Sequence, residues 1–327
     1  MFYSLKFMPR HHLVLCLLFA LSACAVAPQA DTPIAEPEVK LAAPAPKKTP
    51  LPQITILVSE DIPAYSEVAK ALAKHLGSRA NIVYLTGSPL ENIKLVTKLK
   101  DEERTQFVSI GLSASVAAKK LGSKQVVFCQ VYNYQDYALL SHTHKGVSML
   151  PSFNKTFASW RTLSPGLKRI GVISGPGFEE VMRTARTAAK NYGFTLQHET
   201  VKSDKEYQYT YKHMSKKVQG YWLLPDNRVL SENILRDIMT YSVRNSKQVA
   251  VFNDELLRLG GLLSLSNDYR DIAQQVFERL EQAQGKDYLP GPDIVYPDKL
   301  NLRVNSVMAQ RLDINVPEQY KKYANAP

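Results

Sequence analysis

From Gln53 onward, short aliphatic and β-branched runs alternate with stretches in which apolar positions recur every three or four residues. That alternation predicts βαβ units: strands buried on both faces, separated by helices with one apolar face. Ile54–Val58 reads as a buried strand and 64–76 as a helix with Val68, Ala71, Leu72 and His75 on one face; 81–85 reads as the next strand. The pattern continues through 90–99, 107–110, 113–121 and 126–131. A second series follows, with helices at 153–163, 179–192, 205–217 and 232–244 and strands at 169–174, 194–200, 219–224 and 248–252. Residues 267–284 read as a long amphipathic helix opened by Asn267 and Asp268, side chains suited to capping exposed N–H groups. Two successive βα series of similar size predict an α/β protein of two similarly built parallel-sheet lobes.

The first 52 residues follow another pattern. Lys6, Arg10 and two histidines precede an apolar stretch from Leu13 to Ala23, too short for a bilayer span and of the right length for a secretory signal. Residues 25–52 contain seven prolines, seven alanines and no glycine, the composition of a stiff stalk. Fully extended as polyproline II at about 3.1 Å per residue, it would reach on the order of 85 Å.

The 327 residues suit two lobes, and a charged fraction of 22% with 45% apolar residues argues for a folded chain. No run of eighteen apolar residues occurs, which excludes a multi-pass membrane protein. The net charge is +11, from 41 Lys and Arg against 30 Asp and Glu, and the excess is spread along the chain. It reads as a solvated surface or an attraction to anionic envelope polymers, and no nucleic-acid partner is expected. Three cysteines cannot build a disulfide framework, and Cys129, after Val126-Val127-Phe128, reads as a small buried hydrophobe.

Leu21-Ser22-Ala23-Cys24 resembles the lipobox of bacterial lipoproteins. The resemblance implies a signal peptide over 1–23 and a lipid on Cys24, with 24–52 as anchor and linker; ordinary cleavage after Ala23 with Cys24 left free is the alternative. Ala25 in place of aspartate resembles lipoproteins sorted to the outer membrane of Gram-negative cells.

A second resemblance covers nearly the whole body. Gly146-Val-Ser-Met-Leu-Pro-Ser-Phe153 with Leu163-Ser-Pro-Gly-Leu-Lys-Arg-Ile-Gly-Val-Ile-Ser-Gly-Pro176 resembles the lobe-crossing segment of a family of ABC-transporter substrate-binding proteins. Leu224-Pro225-Asp226-Asn227, Val251-Phe252-Asn253-Asp254, Gly261 to Ser264, Asn267-Asp268-Tyr269, Asp293 to Asn305 and Ile314-Asn315-Val316-Pro317 agree in order and spacing. The family includes aromatic-amino-acid binders. It implies a type I periplasmic-binding-protein fold, with a first lobe at 53–149 plus 267–290 and a second at 150–266 plus 291–320. Three crossings, near 147–151, 262–267 and 290–297, would let the lobes close on a small ligand.

The first-lobe loops depart from that family. Where it usually carries His-Pro, Gly-Thr and Asp-Pro, this chain reads Ile62-Pro63, Gly111-Leu112 and Tyr132-Asn133-Tyr134. Tyr132, Tyr134 and Tyr137 bring aromatic surface to the carboxyl edge of the sheet, where α/β folds bind ligands, or else pack on each other. The ligand-binding residues implied are Ser113, Tyr132, Asp226, Asn227, Asp254 and Asp268; the aspartates either meet a ligand ammonium or cap the helices that follow.

Gly175-Pro176-Gly177 is a weak echo of a phosphate loop, because proline removes a donor where one is needed. His142-Thr143-His144 lacks a metal-ligand constellation and reads as a solvated turn, and no serine carries the nucleophile-elbow pattern. No enzyme activity, cofactor or metal is expected. Two functions remain: a lipid-anchored solute receptor for an ABC permease, and an outer-membrane lipoprotein that uses the fold to bind or regulate a periplasmic partner without transport.

Overall fold

The computed structural model describes residues 53–85, 87–101 and 106–325. The expected signal, Cys24 and the stalk lie outside these residues. Among the described residues, no helix is long and apolar enough to cross a membrane.

The first lobe contains β1 (Ile54–Val58), α1 (Pro63–Leu76), β2 (Ala80–Tyr84), α2 (Pro89–Leu99), β3 (Gln106–Ile110), α3 (Leu112–Ala118), β4 (Gln125–Cys129) and β5 (His144–Val147). The second contains α4 (Phe153–Leu163), β6 (Arg169–Ser174), α5 (Glu179–Asn191), β7 (Thr195–Thr200), α6 (Asp204–Met214), β8 (Gly220–Trp222), α7 (Glu232–Arg244), β9 (Gln248–Val251) and β10 (Leu263–Asn267). The chain then returns through α8 (Tyr269–Gln282) and β11 (Ile294–Val295) before β12 (Leu300–Asn305), α9 (Ser306–Arg311), α10 (Glu318–Lys321) and β13 (Ala324–Asn325). The first sheet runs β11-β5-β4-β3-β1-β2, all parallel; the second runs β13-β12-β10-β9-β8-β6-β7, with β10 and β12 antiparallel.

Both faces of each sheet are covered, which is why the strands read as continuous apolar runs. Ile54, Ile56 and Val58 of β1 face α1 and α8, where they pack with Val68, Leu72, Ile272 and Val276. Leu57 faces the other way, toward Val96 of α2 and Ala114 of α3. In the second lobe Ile170 and Val172 pack under α4 and α5, while Ile173 packs under α6 and α7.

Three segments join the lobes: 148–152, Asp268 and 296–299. Buried side chains tie them together. Asn267 Nδ2 donates to the Met149 carbonyl at 2.8 Å, and Asp271 Oδ2 accepts from the backbone N–H groups of Asp298 and Lys299 at 2.7 and 2.9 Å.

Four expectations change. Ile294 and Val295, expected in the second lobe, belong to the first sheet, because β11 pairs with β5 and covers its edge; buried Arg279 of α8 holds this corner through the carbonyls of Gly146 and Pro292. Asn267 ends β10 instead of opening the long helix, and Asp268 alone caps α8, accepting from Arg270 N at 2.8 Å. The strand from Val126 stops at Cys129, because Gln130 takes a positive φ of 57° and turns the chain away. His144, expected in a solvated turn, opens β5 with its ring buried, Nδ1 lying 3.1 Å from Thr143 Oγ1. Among the described residues no cluster of three potential metal ligands occurs.

Cys129 is fully buried, and desolvation pushes its thiol up to about 12. A thiolate-directed reagent should therefore label it only on global unfolding, with a rate that tracks denaturant concentration. His198 of β7 lies 2.9 Å from Ser174 Oγ; burial first, and then the Arg186 charge, bring its pKa down to about 4 from 6.5. Between those values the unfolded chain binds a proton that the folded chain refuses, so stability falls as pH drops from about 6.5 toward 4. His198→Gln should flatten that part of a melting-temperature profile; an unchanged slope would remove His198 as its source.

Candidate functional site

The carboxyl edges of the two sheets meet across the space between the lobes. On the second lobe, β6 exits through Ser174-Gly175-Pro176-Gly177-Phe178 and β8 exits through Leu224-Pro225-Asp226-Asn227-Arg228. Asp226 is 1% exposed, and a buried carboxylate requires partners. It has them: Arg228 Nε and Nη2 each reach one of its oxygens at 2.8 Å, and Gly175 N donates at 2.7 Å. A Cβ on Gly175 would lie 2.9 Å from Arg228 Nη2 and 3.0 Å from Asp226 Oδ2, so the glycine makes room for this pair. Gly177, at φ +86°, takes a left-handed turn beside Asp136. The Gly-Pro-Gly exit is thus shaped around a guanidinium, whose Nη1 also donates to the Pro176 carbonyl at 3.0 Å.

The same Nη1 crosses to the first lobe, where it meets Asp136 Oδ2 at 2.6 Å. Two carboxylates on one guanidinium hold the proton of Arg228 more firmly than usual, the hydrogen bonds to Asp226 contributing most. Beside this bridge Tyr132 of the first lobe stacks on Phe178 of the second, with centroids 4.4 Å apart and planes 18° from parallel. Tyr132 packs into the second lobe's core, and its hydroxyl is buried without a hydrogen-bond partner. Burial, and then the charge of Asp226, raise its pKa well above the usual tyrosine value. Around the ring only about 10 Å³ remains, bounded by residues that include Met149, Val181 and Tyr296. The chain's own side chains fill this part of the space between the lobes.

A larger cavity of about 610 Å³ opens beside it, lined wholly by the first lobe, from Asp61 after β1 and Leu85 after β2 to Val116 of α3 and Tyr137. Ser113 stands exposed in its wall.

The residues implied by the sequence are distributed differently. Tyr132 and Asp226 lie at the contact between the lobes, Ser113 in the first-lobe cavity, and Asn227 is exposed. Asp254 pairs with Arg303 at 2.6 Å and accepts from Ser264 at 2.7 Å, and Asp268 caps α8. Asp136, Phe178 and Arg228 were not among the implied residues. Arg228 two places after an aspartate at a strand exit was the readable sign of a local pair, but nothing in the sequence relates Asp136 to a residue 92 positions away.

Several solved structures share this architecture. The ligand-free, open structure of a substrate binding protein with adhesive properties from Clostridium difficile is 15% identical, covers 84% of this chain and 99% of its own, and superposes with a TM-score of 0.63. The ABC domain in complex with L-Trp from Streptococcus pneumonia is 18% identical with a TM-score of 0.59, and a conserved domain protein from Vibrio cholerae is 20% identical with a TM-score of 0.58; both have the same coverage. These identities speak to fold alone, and the fold is of the type I periplasmic-binding-protein kind. No curated protein sequence matches the chain. The family model described as ABC transporter substrate binding protein matches residues 68–326, and with two parallel-sheet lobes meeting at their carboxyl edges over most of that span, the chain belongs to this family.

Proposed function

We propose that the protein is a lipid-anchored, envelope-facing substrate-binding component of an ABC transporter, and that it takes a carboxylate-bearing solute with an aromatic or other apolar side chain between its lobes. The Arg228 guanidinium carries this reading. Asp226 locks two of its nitrogens, while Nη1 holds Asp136 across the lobe boundary with side chains 22% and 34% exposed. A solute carboxylate offers Nη1 the same charge-assisted hydrogen bond. A solute ring can take the place of Tyr132 against Phe178. The exchange also releases a hydroxyl buried without a partner, a burial that costs about 1–3 kcal/mol. The L-Trp complex of the Streptococcus pneumonia relative supports the same class of ligand.

In this reading Arg228 and Phe178 meet the solute, Asp226 holds the Arg228 fork from behind, Tyr132 and Asp136 are the side chains the solute displaces, and Ser113 and Asn227 lie on the approaches. Asp254 and Asp268 act at one remove, fixing Arg303 and the start of α8. Cys24 bears the lipid, and the membrane is the outer one in a Gram-negative cell. The receiving partner is an ABC permease.

A second reading has one specific observation in its favour. The lobes already join through their own side chains, which suits a lipoprotein that docks an envelope partner without carrying a solute.

Isothermal titration separates the two readings. L-Tryptophan and related aromatic carboxylates should bind, and Asp136→Asn, which removes the intramolecular competitor for Nη1, should tighten them about threefold to tenfold. Arg228→Lys, which keeps a charge beside Asp226 but loses the fork, should weaken them at least tenfold, consistent with about 1.5–3 kcal/mol for a hydrogen bond to a charged group. Absence of binding by any such carboxylate, to either the native chain or Asp136→Asn, would exclude the solute reading and leave the second.

A further inference from the structure

A hollow of about 640 Å³ lies at the far end of the second lobe, where the last turn of α7, the turn at 257–260 and α9 come together. β9 and β10 start at this end, and antiparallel β12 finishes here at Asn305 after leaving the crossing at 296–299. The six residues of β12, at about 3.4 Å each, put the hollow on the order of 20 Å from that crossing. Buried Asn305 fixes its shape: Nδ2 donates to the Leu257 carbonyl at 2.9 Å, and Oδ1 accepts from Met308 N at 3.1 Å. The turn packs so closely on α7 that a Cβ on Gly260 would strike Val243 Cγ2.

Val243, Leu257 and Met308 give the hollow an apolar floor, and Val307 stands 56% exposed in its wall. Around that floor are three exposed guanidiniums, those of Arg244, Arg258 and Arg311, each from a different element. None has a carboxylate partner among the described residues, and none of the described residues lining the hollow is acidic. Elsewhere on the second lobe the exposed arginines Arg183, Arg236 and Arg303 are each paired with a glutamate or aspartate. An apolar centre inside a charged rim is the anatomy of a protein interface, where arginine is enriched.

We propose that this hollow docks an acidic segment of a partner protein, which lays an apolar side chain over Val243 and Met308 while its carboxylates take the three guanidiniums. Charge complementarity selects the occupant. Each guanidinium offers a fork that fits a carboxylate, whereas a second copy of this chain carries the same net charge of +11 and is repelled. The concave shape admits a side chain but not the flat face of an anionic bilayer. All of the lining belongs to the second lobe, so the segment is held alike whether Arg228 and Asp136 are joined or parted. A contact confined to one lobe cannot sense closure, so this partner differs in role from a permease. The inference stands with either reading of the space between the lobes.

The probe is a fluorescein-labelled hexapeptide, Asp-Glu-Phe-Leu-Glu-Asp, titrated into the full chain by fluorescence anisotropy. One counterpart carries Asn and Gln in place of the acids, and another carries Ala in place of Phe and Leu. The acidic peptide should bind below millimolar concentration, more weakly as salt is added, and more tightly than either counterpart. Arg244→Gln, Arg258→Gln and Arg311→Gln together should weaken it about tenfold, as expected for three exposed ion pairs. Val307→Asp, at an exposed position of the wall, should weaken it as well. Lys212→Gln, Lys216→Gln and Lys217→Gln together remove the same charge from exposed positions of the same lobe and should leave the affinity unchanged. Arg228→Lys should also leave it unchanged, which separates this site from the space between the lobes. No binding at millimolar peptide, an equal loss in the lysine variant, or a loss in Arg228→Lys would overturn the proposal. Phosphatidylglycerol vesicles that bind through the three arginines where the peptide does not would assign the patch to a lipid surface and overturn it too.

Discussion

Asp226 is the constraint from which the contact between the lobes follows. A carboxylate at 1% exposure has to be paired, and the pairing falls to Arg228, two residues on, and to the N–H of Gly175 on the neighbouring strand exit. Once the guanidinium is clamped in the plane of that carboxylate, its remaining nitrogen points out of the second lobe and meets Asp136. The glycine at 175 and the left-handed turn at 177 are conditions of the same arrangement, since a side chain at 175 would intrude on the fork. A lysine, with all its donors on one nitrogen, lacks the rigid fork that holds Asp226 with two nitrogens while a third reaches the other lobe.

Each lobe closes its own core on both sheet faces, so what holds the lobes together is small by comparison. A partly exposed ion pair contributes about 0–1 kcal/mol and an aromatic pair about 0.5–1.5 kcal/mol beyond its burial. Terms of this size can be offset by a ligand of ordinary affinity, which is what a hinged receptor requires. The crossings themselves are fixed more firmly, by the buried side chains of Asn267 and Asp271 on backbone groups of the neighbouring crossings. The structure thus combines firmly tied crossings with a weak contact between the lobes.

Much of the architecture was legible in the chain. The buried strands Ile54–Val58 and Arg169–Ser174 and the helices around them follow from continuous apolar runs set against a 3.6-residue period. Short edge elements were not legible. β11 has two residues and no period, and it becomes a strand because β5 offers an open edge at which Arg279 holds the adjoining chain. At the site, the sequence singled out Tyr132 and Asp226 and passed over Asp136, Phe178 and Arg228. A tyrosine near a strand exit looks the same whether it faces a ligand or, as Tyr132 does, stacks on a phenylalanine 46 positions later.

By itself, then, the sequence determined the class of fold, two series of βα units with apolar strands and amphipathic helices, because burial patterns are local and periodic. It also determined that carboxylates and tyrosines gather at strand exits. Only the tertiary structure decided which of them meet. The pairing of Asp226 with Arg228, the reach of Arg228 to Asp136 and the insertion of Tyr132 into the other lobe depend on how two separate sheets are set edge to edge. That placement is fixed by packing and by three short crossings, which leave no periodic trace in the chain.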